Sequence, residues 1–93
     1  MTPNQAIDEI MKLSEEQSRI TERFTELEVE EIKCFNDFRG DFTSDKQCTM
    51  AFKRSPMGIE HLKTKARLNL ISKQLTTLKT FLRHEENKAR NLY

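Results

Sequence analysis

The sequence predicts an all-α fold: an antiparallel helical hairpin of two long helices with a short connecting helix, self-associating into a coiled-coil-like helical bundle. Three observations predict it. Leu68, Ile71, Leu75, Leu78, Leu82, Ala89 and Leu92 recur at alternating spacings of three and four, with Glu85 the polar member of the series. A period of about 3.5 residues draws one narrow stripe along a helix, the seam of a coiled coil. No glycine or proline lies between Ile59 and Tyr93 to break that run. Finally, 35% of the chain is hydrophobic and 33% charged, a thin core that suits long amphipathic helices better than a globule. In 93 residues there is room for one small domain, a size that often gains stability by association with another chain.

The first helix is expected over about 3–38. Thr2 suits its N-cap, Pro3 the first helical position, and Gln5 the reciprocal bond of a capping box. Ile10, Leu13, Ile20, Phe24 and Leu27 follow the heptad spacing, with Gln17 interrupting. Beyond Leu27 the stripe broadens into an aromatic arc. Gly40 is the natural stop. Ser44 and Gln47 repeat the capping logic, so a short helix is expected over about 45–53, with Cys48, Ala51 and Phe52 on its buried side. Ser55-Pro56 then ends it and begins the third helix, about 56–90, with Gly58 weakening the first turn. That helix carries a second apolar stripe, Ile59, Leu62, Ala66 and Leu70, and Phe81 also lies off the seam. A helix with two apolar faces packs against two neighbours. The hairpin supplies one, and a second copy of the chain is the simplest other. Leu68, Ile71, Leu75, Leu78 and Leu82 are the expected oligomerisation residues.

Charge divides the chain. Residues 1–45 hold twelve acids and five bases, a net of −7; residues 46–93 hold three acids and eleven bases, a net of +8. Glu9, Glu16, Glu28 and Glu30 are expected to meet Lys65, Arg67, Lys79 and Lys88 across the helix pair. Cations left over face outward. Lys53, Arg54 and Lys63, near the start of the third helix, are the expected anion contacts.

Function classes narrow accordingly. His61 and His84 are far apart on one helix, and His84-Glu85-Glu86 lacks the second histidine of a zinc protease motif because Lys88 stands there. No Cys/His ligand cluster, glycine-rich phosphate loop or serine-nucleophile elbow is present. No enzyme activity, metal or cofactor is expected. No apolar run is long enough for a membrane span, and two cysteines without a CxxC spacing suit a reduced, cytoplasmic protein. Arg39-Gly40-Asp41 reads as a chance match to an adhesion tripeptide, and Ser55 as a helix cap rather than a phosphorylation site.

Two function classes remain. The leading one is a non-enzymatic interaction protein, an inhibitor, adaptor or chaperone-like factor. It would present helix faces and a Phe-rich end, Phe35, Phe38, Arg39, Phe42 and Phe52, to a protein partner. The same phenylalanines also fit a packed hairpin end. The alternative is a binder of an anionic ligand, a nucleotide or nucleic acid, through the basic third helix at a subunit interface.

Overall fold

Thr2 and Gln5 close the first helix as reciprocal partners: the Thr2 amide donates to Gln5 Oε1 (2.9 Å) and the Gln5 amide to Thr2 Oγ1 (3.2 Å). Helix α1 follows, Pro3–Phe38. The computed structural model describes residues 1–38 and 45–91, with the side chains of residues 37, 38, 45 and 91 left aside. Helix α2 is Asp45–Arg54 and α3 is Pro56–Asn91. No strand occurs among the described residues. Gly40, the expected stop of α1, and Ser44, the expected cap of α2, lie outside them.

The molecule is drawn out, with extents of 70 × 19 × 16 Å and a radius of gyration of 20.0 Å. A compact domain of similar length has about 13 Å. Length comes from α1 and α3, each 36 residues and therefore about 54 Å long. They lie side by side with opposite sense: Glu16 meets Arg67 and Arg23 meets Glu60, so numbers fall on α3 as they rise on α1.

Apolar packing fills the strip between them. Leu13, Ile71 and Leu75 are buried together, with Ile10, Ile20 and Leu78 packed against them. Burying one such side chain stabilises by about 1.5–3 kcal/mol, and few are available, so this core is thin. The α3 seam is thus filled by α1 of the same chain. Ile71 and Leu75 are buried, and Leu68, Leu78 and Leu82 half-buried. In this packing Ile71 and Leu75, among the expected oligomerisation residues, hold the chain's own helices together.

The turn from α2 into α3 is tight. Ser55 caps α3 by accepting from the Gly58 amide (3.2 Å) and also donates to the Phe52 carbonyl. Gly58 does more than weaken a turn. A Cβ built there would lie 2.0 Å from the Phe52 carbonyl oxygen and 2.7 Å from the Lys53 Cα. Only glycine lets the first turn of α3 approach the end of α2 so closely. On α2, Cys48 and Phe52 are buried, while Ala51, expected with them, is exposed.

Candidate functional site

The outer face of α3 carries the feature that most needs explanation. At about 100° per residue, Ile59, Leu62, Ala66 and Leu70 lie on the side opposite Ile71 and Leu75. Ile59 and Leu70 are each 47% exposed and Leu62 is 68% exposed; Ala66 is exposed too. Among the described residues this stripe is left uncovered, while α1 lies on the seam behind it. Cations surround it. From Lys53 to His84 the sequence has eight bases and one acid, Glu60. Glu60 is engaged: Arg23 Nε and Nη2 donate to its two carboxylate oxygens at 2.8 Å each. The Arg23 guanidinium holds the Glu60 carboxyl below its ordinary range, and Arg23 is itself raised, first by Glu60 and then by Glu26. Arg67 is likewise engaged, donating twice to Glu16 at 2.7 and 2.9 Å. Lys63, Lys65 and Lys73 make no ion pair among the described residues and are exposed.

Of the expected cross-helix pairs, the structure brings together Glu16 and Arg67. Lys88 turns instead to Glu85 on its own helix (3.5 Å), and Glu30 to Lys33 (3.4 Å). Glu28 lies 3.9 Å from His61.

The Phe-rich end separates into core and surroundings. Phe52 is 4% exposed and sets its ring edge-on to His61, centroids 6.4 Å apart. It therefore offers no face to a partner in this fold, because α2 folds it inward against α3. Phe35 is half-buried. The side chain of Phe38, together with Arg39 and Phe42, lies outside the described residues. A residue the sequence reading weighed only as a metal or catalytic candidate joins the three helices here. His61 stacks on Phe24 at 4.5 Å with 15° between the rings. Its Nε2 is buried without a hydrogen-bond partner. The signal was present, since extending the seam backward from Leu68 in steps of four and three reaches Thr64 and then His61.

The expected anion contacts come from two helices. Lys53 and Arg54 end α2, where cations favour the helix dipole, and Lys63 lies two turns into α3. The first-turn amides of α3 are largely used: Gly58 donates to Ser55 Oγ and Ile59 to the Ser55 carbonyl (3.0 Å). A groove of about 690 Å³ opens elsewhere, between α1 and α3, on an apolar floor that includes Leu13 and Leu78. Lys12, Arg67 and Lys73 share its rim with Glu9 and Glu16, a balance of signs that gives an anion little advantage. Among the described residues no cluster of His, Cys, Asp and Glu has the arrangement of a metal site, and no helix is long and apolar enough to cross a membrane. Comparison with known protein families, curated proteins and solved structures finds no match.

Proposed function

We propose that this chain is a non-enzymatic helical interaction protein, acting as an inhibitor, adaptor or chaperone-like factor in the cytoplasm. Its two long helices form an intrachain hairpin, and it works by offering the outer face of α3 to a macromolecular partner. One observation carries this reading: Ile59, Leu62 and Leu70 stand half to two-thirds exposed on the side of α3 that the described residues leave uncovered. A contiguous apolar stripe rimmed by charge is the ordinary mark of an interaction surface. The Phe-rich end contributes through Phe35 rather than Phe52, which the core retains.

The test is affinity purification from cells in three forms. Leu62→Asp with Leu70→Asp should lose a stoichiometric protein partner held by the wild type. Charge reversal at Lys53, Arg54 and Lys63 should keep it.

A second reading, binding of an anionic ligand such as a nucleotide or nucleic acid, is favoured by one fact. Lys53, Arg54 and Lys63 make no ion pair among the described residues. With one Tyr and no Trp, the protein absorbs weakly at 280 nm, so co-purifying nucleotide shows clearly at 260 nm. A stoichiometric excess at 260 nm that the charge-reversal variant loses and the double-Asp variant retains would replace the first reading with the second.

A further inference from the structure

We propose that Cys34 and Cys48 are a redox-responsive thiol pair, closing to an intrachain disulfide that ties α2 to the end of α1. The proposal does not depend on what the outer face of α3 binds. Three observations lead to it.

The first is proximity. The cysteines stand on different helices, Cys34 on α1 and Cys48 on α2, and both are thiols. The Cys48 thiol nevertheless donates to the Cys34 carbonyl, at 3.9 Å. A carbonyl oxygen lies about 2.4 Å from the Cα of its own residue. The Cys48 sulfur is therefore within about 6.3 Å of the Cys34 Cα. In a disulfide that separation is about 4 Å. One step of Cys48 between staggered χ1 wells carries its sulfur about 3 Å, so side-chain rotation spans the gap.

The second is a difference in exposure. Cys34 is half-buried, whereas Cys48 is 3% exposed. A reagent in solution therefore meets Cys34 first, and Cys48 is held beside it as the resolving thiol. Among the described residues no third ligand completes a metal site with the pair, which leaves sulfur–sulfur chemistry.

The third is how little else fastens α2. Of its described side chains, Cys48 and Phe52 are the buried ones, and a helix of 10 residues is marginal without tertiary support. Cys48 and Phe52 lie one turn apart on the same face. A bridge at Cys48 thus also holds Phe52 against His61 and keeps the three-helix junction closed.

The oxidant is a low-molecular-weight disulfide of the glutathione class. The Cys34 thiolate attacks one of its sulfurs; that S–S bond breaks and one small thiolate leaves. Cys48, its proton given to solvent, attacks the Cys34 sulfur of the mixed disulfide, and the second small thiolate leaves. The two small thiolates take up the two protons that the cysteines lost. The protein's two thiols are oxidised and the small disulfide is reduced.

The test holds the full folded chain in a series of oxidised-to-reduced glutathione buffers, alkylates the remaining thiols and reads intact mass. The wild type is expected to become a monomeric disulfide with no thiol left and no glutathione attached. Trypsin, cutting after Lys33, Arg39, Lys46 and Lys53, should then release 34–39 joined to 47–53. Cys48→Ser should stop as a glutathione adduct on Cys34. Cys34→Ser should react about tenfold more slowly, because its remaining thiol is buried. With a sequence separation of 14, the bridge should raise the wild-type melting temperature by about 10 °C, a shift that both variants lack. Circular dichroism checks that each variant stays helical; should Cys48→Ser unfold, Cys48→Ala replaces it, and the wild-type result stands without either. A wild type that stays a dithiol at every ratio overturns the proposal. So does one that takes up two glutathiones or forms disulfide-linked dimers, because the thiols would then act separately. An oxidised form that melts below the reduced one overturns it too, since the fold would be opposing the bridge.

Discussion

Gly58 sets a residue-scale prediction whose sign is informative. In an exposed helix, replacing glycine by alanine stabilises by about 1 kcal/mol. Here the added carbon meets the backbone of Phe52 and Lys53 at 2.0 and 2.7 Å, atoms that cannot swing aside. Gly58→Ala should therefore destabilise by about 3 kcal/mol, the upper part of the overpacking range, and thermal melting checks it. A rise in melting temperature would show that α2 does not close onto α3. The Arg23–Glu60 pair predicts a pH effect. Its carboxyl is held below the ordinary range by the Arg23 guanidinium, so the folded state favours the ionised form. The pair's stabilisation is present above the ordinary carboxylate range and is lost as pH falls through the lowered folded value. Melting temperature measured from about pH 5 down to pH 2 should fall less steeply in Glu60→Gln than in the wild type. Both side chains are well exposed (45% and 42%), so the difference is small and high salt should erase it.

At the scale of elements, helix ends were legible because capping is local chemistry. Thr2 and Gln5 make both bonds of the expected box, and Ser55 caps α3 with Pro56 at its first position. Thr2→Ala should cost about 1 kcal/mol of N-terminal helix stability, seen as faster amide exchange over residues 5–8 with the rest of α1 unchanged. The α3 seam was legible because periodicity records which side is apolar. Periodicity does not record what covers that side. The seam residues were therefore expected at an interface between copies, and the structure puts α1 of the same chain there. The roles of Gly58 and His61 were hidden for a related reason. A glycine in a first turn reads as weakness until the backbone behind it is known. A histidine on a seam reads as polar until Phe24 and Phe52 are placed around it. Cross-helix ion pairs depend on the angle at which each side chain leaves its helix. Glu16 and Arg67, each a member of the sets expected to meet, do pair, whereas Lys88 has a nearer carboxylate, that of Glu85, on its own helix.

For the whole molecule, the governing fact is that α3 has two apolar faces and the described residues cover one. Leu75 and Leu62 lie on these opposite faces and differ tenfold in exposure, 7% against 68%. The same substitution should therefore have opposite consequences. Leu75→Asp puts a carboxylate into the strip shared with α1, where an unpaired charge costs several kcal/mol. With so few buried side chains in the molecule, that should abolish cooperative folding, read as loss of helical circular dichroism at 25 °C. Leu62→Asp leaves the strip untouched, so at low micromolar concentration its spectrum and melting temperature should match those of the wild type. The difference should emerge in partner capture: a partner that binds only the folded chain stabilises it by mass action, so added partner should raise the wild-type melting temperature and leave that of Leu62→Asp unchanged. If Leu62→Asp unfolded at low concentration as Leu75→Asp does, Leu62 would be part of the chain's own core, and the outer face of α3 could not serve as a docking surface.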